Sequence, residues 1–172
     1  MEYKGIKFFA MPTPFRHLGF FPEQASHWDF IENSIKNSGR PIKFLNLFGY
    51  TGIASLVAAK LGCEVTHVDA SSPSIAWARE NQAASQLSDK PIRWIKEDVL
   101  AYCQREVRRG NKYDGIIMDP PAFGLGAKGE KWILEQRLPE LLNAASEILD
   151  KDGFLIVNTY SPKITAEHLY QL

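Results

Sequence analysis

The sequence has no excess of either charge. Its 20 basic residues are matched by 20 acidic ones among 172. A dedicated nucleic-acid binder usually shows a basic excess, so bulk charge removes the simplest argument for RNA or DNA, although a local patch remains open. Cysteine is scarce. The two present, Cys63 and Cys103, form no C-x-x-C pair and make no metal site between them; they read as reduced, partly buried thiols. No apolar run approaches the ~20 residues needed to span a bilayer. The opening MEYKGIKFFAMPTPF lacks the apolar stretch of a signal peptide, which makes a cytoplasmic protein the default, with no membrane and no metal among its partners. No internal repeat or low-complexity segment occurs.

What is present is an ordinary globular composition, 45% hydrophobic and 23% charged, in a length suited to one domain. Strand and helix signals alternate. Short apolar runs at 43–48, 63–69, 92–97, 113–119 and 154–158 read as strands. Helical spacing appears at 51–61, 72–87 and 99–109, and again in the stripe Leu134, Leu138, Leu141, Leu142, Ala145, Leu149. Ser72 is the expected N-cap of the second of these, with Pro73 at its first helical position. Trp28, Ile31 and Ile35 suggest one more helix over 22–37, and 122–130 reads as irregular and glycine-rich. Five strands separated by helices predict an α/β fold with a mostly parallel sheet. Such sheets bind ligands beyond the carboxyl ends of their strands, so functional residues are expected just after each strand.

The strand ends bear this chemistry. The first runs into Asn46-Leu47-Phe48-Gly49-Tyr50-Thr51-Gly52, where two glycines allow a sharp turn and close approach of a ligand. Asp69 ends the second strand, where a carboxylate can accept both hydroxyls of a ribose. The alternative is a strand-end turn with a capping aspartate. Dinucleotide sites use G-x-G-x-x-G to cradle a pyrophosphate. Here only G-x-x-G is present and bulky Tyr50 replaces the missing glycine, which suits S-adenosylmethionine, a cofactor with ribose and adenine but no phosphate. Asp98, followed by apolar Val99, can accept the adenine amino group, or simply cap the next helix. The fourth strand ends in Asp119-Pro120-Pro121-Ala122-Phe123. Asp119 and the Pro120 carbonyl can hold a planar N–H group, and Phe123 can stack on a flat ring.

In this order, FLNLFGYTG, VTHVDAS, KEDVL and MDPPAFG resemble the class I S-adenosylmethionine-dependent methyltransferases grouped with bacterial large-subunit ribosomal RNA methyltransferases. LGFFPEQASHWDFI, DPPAFGLGAKGEKW and NTYS resemble one branch of that group, over roughly residues 15–165. The resemblance implies a Rossmann-like sheet, with Asn46, Phe48, Gly49 and Gly52 along the methionine moiety. It implies Asp69, Ala70 and Ser71 at the ribose, and Asp98 and Val99 at the adenine. Gln24 would belong to an upstream segment over the cofactor, and Asp119, Pro120 and Phe123 would serve catalysis. It also implies residues 22–172 as the methyltransferase domain behind an extension 1–21. The family usually has seven strands, so five suggest an incomplete far edge, with the last residues entering the next helix.

Departures from the pattern narrow the substrate. Related enzymes often place Lys where Ala122 stands. Methylation at carbon 5 of cytosine needs a thiolate, yet Asn158-Thr159-Tyr160-Ser161 follows the fifth strand and no Cys follows the fourth. Cys63 begins a strand at the wrong end of the sheet, and Cys103 lies within a predicted helix. The expected activity is therefore methylation of a nitrogen on an RNA base, with RNA as partner. Alternatives are a small planar molecule, a protein side chain, or a cofactor-binding module without catalysis. Arg105, Arg108, Arg109 and Lys112 end a helix and fit its dipole, whereas Lys128 and Lys131 beside the DPP motif suit a polyanion better. Oligomeric state is open.

Overall fold

A computed structural model describes residues 1–12, 18–161 and 164. The chain opens with a hairpin of β1 (Glu2–Tyr3) and β2 (Ile6–Lys7). A 3-10 turn, Pro22–Gln24, leads into α1 (Ala25–Ser38). There follow β3 (Lys43–Leu47), α2 (Ile53–Lys60), β4 (Glu64–Asp69), α3 (Ser72–Ala84), β5 (Ile92–Lys96) and α4 (Val99–Arg109). The chain continues through β6 (Tyr113–Met118), β7 (Phe123–Leu125), β8 (Lys131–Ile133), α5 (Leu134–Ile148) and β9 (Leu149–Val157).

The central sheet has five strands in the order β5-β4-β3-β6-β9, all parallel. Both faces of a parallel sheet are covered, so its strands need apolar residues on both sides. Phe44, Val65 and Ile117 face a core with Trp28 and Ile31 of α1 and Leu56 of α2. Leu45, Leu47, Ile116 and Met118 face the other core, with Leu100 of α4 and Leu138 of α5. Ile6 and Phe8, in the predicted extension, join the first core. The chain steps outward from β3 to β5, then returns to add β6 beside β3. A crevice therefore opens at the carboxyl ends of β3 and β6, where strand order reverses.

Three local readings change. The stretch 122–130, read as irregular, contains β7, which pairs antiparallel with β8. A turn closes this hairpin with Gly126 N donating to Glu130 O at 2.7 Å and Gly129 at φ 87. Trp132 anchors it by burying its ring and donating Nε1 to Pro121 O at 2.7 Å. Strand β9 begins at Leu149, ahead of the expected turn at 151–153, because a register irregularity between Tyr113 and Gly115 absorbs that turn within the ladder. The cap of α3 is Ser71, one residue before Ser72; its side chain accepts from Ser74 N at 3.3 Å. The helix expected to follow residue 161 falls outside the described residues.

Candidate active site

The loop after β3 is tightly wound. Phe48 and Tyr50 adopt φ of 54 and 48, a left-handed backbone that is costly for bulky residues, and Gly52 follows at φ 82. Such strain persists only where surroundings over-determine it. Gly49 N is held by Val68 O at 3.1 Å, and Thr51 Oγ1 donates to Gly19 O at 2.6 Å. Beneath the loop, Asn46 Nδ2 donates to Ser55 Oγ at 2.9 Å, and Ser55 Oγ lies 3.0 Å from His67 Nδ1. A β-carbon on Gly49 would collide with the His67 ring. This histidine is fully buried, and burial pushes its pKa down to about 3, so it is neutral.

Asp69, at the end of β4, accepts from Tyr50 N and Ser71 N, both at 2.8 Å. Each oxygen so engaged keeps acceptor capacity. Burial raises the carboxyl's pKa, and the two amide bonds work against that rise. Asp98 caps α4 by accepting from Ala101 N at 2.9 Å through Oδ1. A β-carbon on Gly126 would lie 2.9 Å from Asp98 Oδ2 and 2.5 Å from Glu130 Oε2, so the hairpin turn closes tightly against this carboxylate.

Asp119, beyond β6, accepts from Gln24 Nε2 on one oxygen and from Asn158 Nδ2, at 3.1 Å, on the other. Burial pushes it up to about 6; the two amides hold it down, and nearby Glu23 adds to the rise. Tyr160 donates its hydroxyl to Glu23 Oε1 at 3.1 Å.

These strand ends surround one cleft of about 1110 Å³. Among the predicted residues, Phe48, Asp69, Ala70, Ser71, Asp98, Val99, Asp119 and Pro120 line it. Gln24, Asn46, Gly49 and Gly52 instead surround a cavity of about 50 Å³ that shares Phe48, Tyr50 and Asp119 with the cleft. Phe123 lines neither; it stands 71% exposed on β7. The cleft carries four carboxylates, Glu23, Asp69, Asp98 and Asp119, and among the described residues lining it no Lys, Arg or His.

Residues 43–171 match the methyltransferase small domain family. The chain belongs to that family. It is 35% identical over 165 residues to a ribosomal RNA large subunit methyltransferase K/L of Shewanella sp. strain ANA-3, covering 94% of this chain and 22% of that protein. The protein of the same name from Shewanella frigidimarina is 31% identical over 164 residues, again with 94% and 22% covered. The chain thus spans about a fifth of the length of these curated relatives. Among solved structures, a SAM-dependent methyltransferase from Agrobacterium tumefaciens is 48% identical with a TM-score of 0.96, over 99% of this chain and 55% of that one. A methyltransferase structure complexed with SAH is 28% identical with a TM-score of 0.76, over 90% of this chain and 40% of that one.

In this methyltransferase domain several cleft residues escaped the sequence reading. Trp77 of α3, Trp132 of β8, and Leu125 and Gly126 of the hairpin reach the cleft only through packing. Tyr160, which lines the cleft, and Asn158, which bonds Asp119, follow β9, so the strand-end rule could have found them. Neither cysteine lines the cleft or the smaller cavity. Both are buried, and burial pushes both thiols up to about 12. Of the basic helix end, Arg105 pairs with Glu97, Arg109 with Glu106 at 3.0 Å, and Lys112 donates to Glu147 O at 2.6 Å.

Proposed function

We propose that the cleft binds S-adenosylmethionine and transfers its methyl group to a nitrogen of a base in ribosomal RNA. The observation that carries this reading is the set of four carboxylates with no described cation along the cleft wall. A pyrophosphate would meet these four carboxylates and no cationic side chain among the described lining residues. A cationic ligand with a ribose diol and a flat purine finds Asp69 for the diol, and Val99 with the hairpin turn for the ring. Phe48, Tyr50 and Trp77 add apolar wall beside the acidic groups. The cofactor supplies a methyl on a positively charged sulfur.

The residues of the chain supply position and dehydration. Asp119 and the Pro120 carbonyl would accept the target N–H and aim its lone pair into the cleft. As the nitrogen–carbon bond formed, the methyl–sulfur bond would break with its electron pair going to sulfur, SAH would be the leaving group, and the nitrogen would lose its proton to the Asp119 carboxylate or to water. Exposed Phe123, with exposed Lys128 and Lys131 on the same hairpin, would stack an unpaired base and hold nearby phosphates outside the acidic cleft. The names of the curated relatives support ribosomal RNA as the substrate class. In this reading residues 22–172 form the cofactor-binding domain, Ile6 and Phe8 of the extension 1–21 brace its core, and Phe21 lines the cleft.

The test is labelled-methyl transfer to large-subunit ribosomal RNA, to protein and to small-molecule fractions, with mass spectrometry of the product nucleosides. A base methylated on nitrogen is expected. Label confined to protein or small molecules, or 5-methylcytidine as product, overturns the RNA-nitrogen reading.

A further inference from the structure

Gln24 and Asn158 come from segments 134 positions apart and meet on one carboxylate. Gln24 ends the 3-10 turn before α1 and is 9% exposed. Asn158 follows β9, and its backbone N donates to Met118 O at 3.0 Å, which sets it beside the end of β6. We propose that these two amides are positioning residues that clamp Asp119 as a hydrogen-bond acceptor facing the cleft. This rests on the proposed function, because the clamp serves transfer only if Asp119 receives the target N–H.

The geometry explains why two neutral donors are used. A carboxylate offers about four acceptor sites. One bond to each oxygen fixes its plane and leaves the remaining sites for a substrate. An arginine in the same place would neutralise the acid and add a cation to a cleft that must hold a sulfonium. The charged and titratable groups facing Asp119 are Glu23 and, bonded to it, Tyr160. Neither stabilises the ionised form, so among the described residues the amides carry that task against burial. Asp119 stays mostly ionised at neutral pH by a narrow margin, since it titrates at about 6. Losing either amide shifts its titration upward by about one unit. A protonated Asp119 would be a donor at one oxygen and a poorer partner for an N–H.

The experiment is carbon-13 NMR titration of aspartate-labelled protein, with the Asp119 resonance assigned from Asp119→Asn. Asn158→Ala and Gln24→Leu are titrated beside wild type, and SAH affinity is measured by calorimetry. Each variant should raise the Asp119 titration point by about one unit. The acidic limb of the methyl-transfer rate should move by the same amount, and Asn158→Gln should restore both in part. An unmoved Asp119 titration in both folded variants overturns the clamp, as does a moved titration with an unmoved rate profile. Failure of wild type to bind SAH would overturn the proposed function instead, and is read from a separate measurement.

Discussion

Asp69 accepts from two backbone amides, whereas Asp119 accepts from two side-chain amides. The first pair is built into the loop and the start of α3, so it comes with the fold. Asp69→Ala should weaken SAH binding by about 1.5–3 kcal/mol, the cost of losing a charged acceptor, read by calorimetry on folded protein. Unchanged affinity would remove Asp69 from the site. The thiols make the opposite case. With both pushed up to about 12 and both buried, neither forms a thiolate near neutral pH. Cys63→Ser combined with Cys103→Ser should keep turnover in whatever fraction folds; complete loss of turnover in the folded double variant would point to a covalent mechanism. Asp69, Asp98 and Asp119 were legible in the sequence because strand ends are legible. That Asn46 and Gln24 bond to Ser55 and Asp119 depends on which way a side chain turns, and no local pattern encodes that.

At the level of elements, the loop between β3 and α2 rests on β4. Gly49 lies against His67, which in turn packs on Trp94 with ring centroids 4.7 Å apart. Gly49→Ala should therefore cost about 1–3 kcal/mol through overpacking, although its φ lies outside the left-handed region. Adding His67→Ala should recover part of that cost, a coupling measurable by chemical denaturation of the four-member cycle. Additive costs would mean that the clash is relieved elsewhere. The glycine spacing is plain in the sequence, but the reason for Gly49 is a histidine 18 positions away. The β7–β8 hairpin escaped prediction because its strands are three residues each and Gly124, Gly126 and Gly129 dominate its composition. Its order comes from Trp132, whose ring finds a core made by α4 and α5.

For the whole molecule, buried titratable groups set the response to acid. His67 is held neutral at about 3, below its ordinary 6.5, so between those values the unfolded chain binds a proton that the folded one does not. Stability therefore falls as pH drops through that window. Glu106 acts in the same sense. Burial raises its pKa, but Asn111, Tyr113 and Arg109 more than offset this and leave it below its ordinary value, so its contribution is lost on protonation. Asp119, raised from its ordinary 3.8 to about 6, and Asp69, also raised by burial, act in the opposite sense. The thermal midpoint should fall between pH 6.5 and 4, and His67→Gln should flatten that slope; an equal slope in the variant would place the acid sensitivity elsewhere. Sequence alone determined the parallel α/β class and pointed to the strand-end residues that line the cleft, because strand periodicity, glycine turns and acidic strand ends are local. Tertiary structure decided the gathering of four carboxylates, with no Lys, Arg or His among the described residues, along one cleft, the clamp on Asp119 and the histidine under Gly49. Each depends on segments that meet only when the sheet closes, and distance along the chain does not report distance in space.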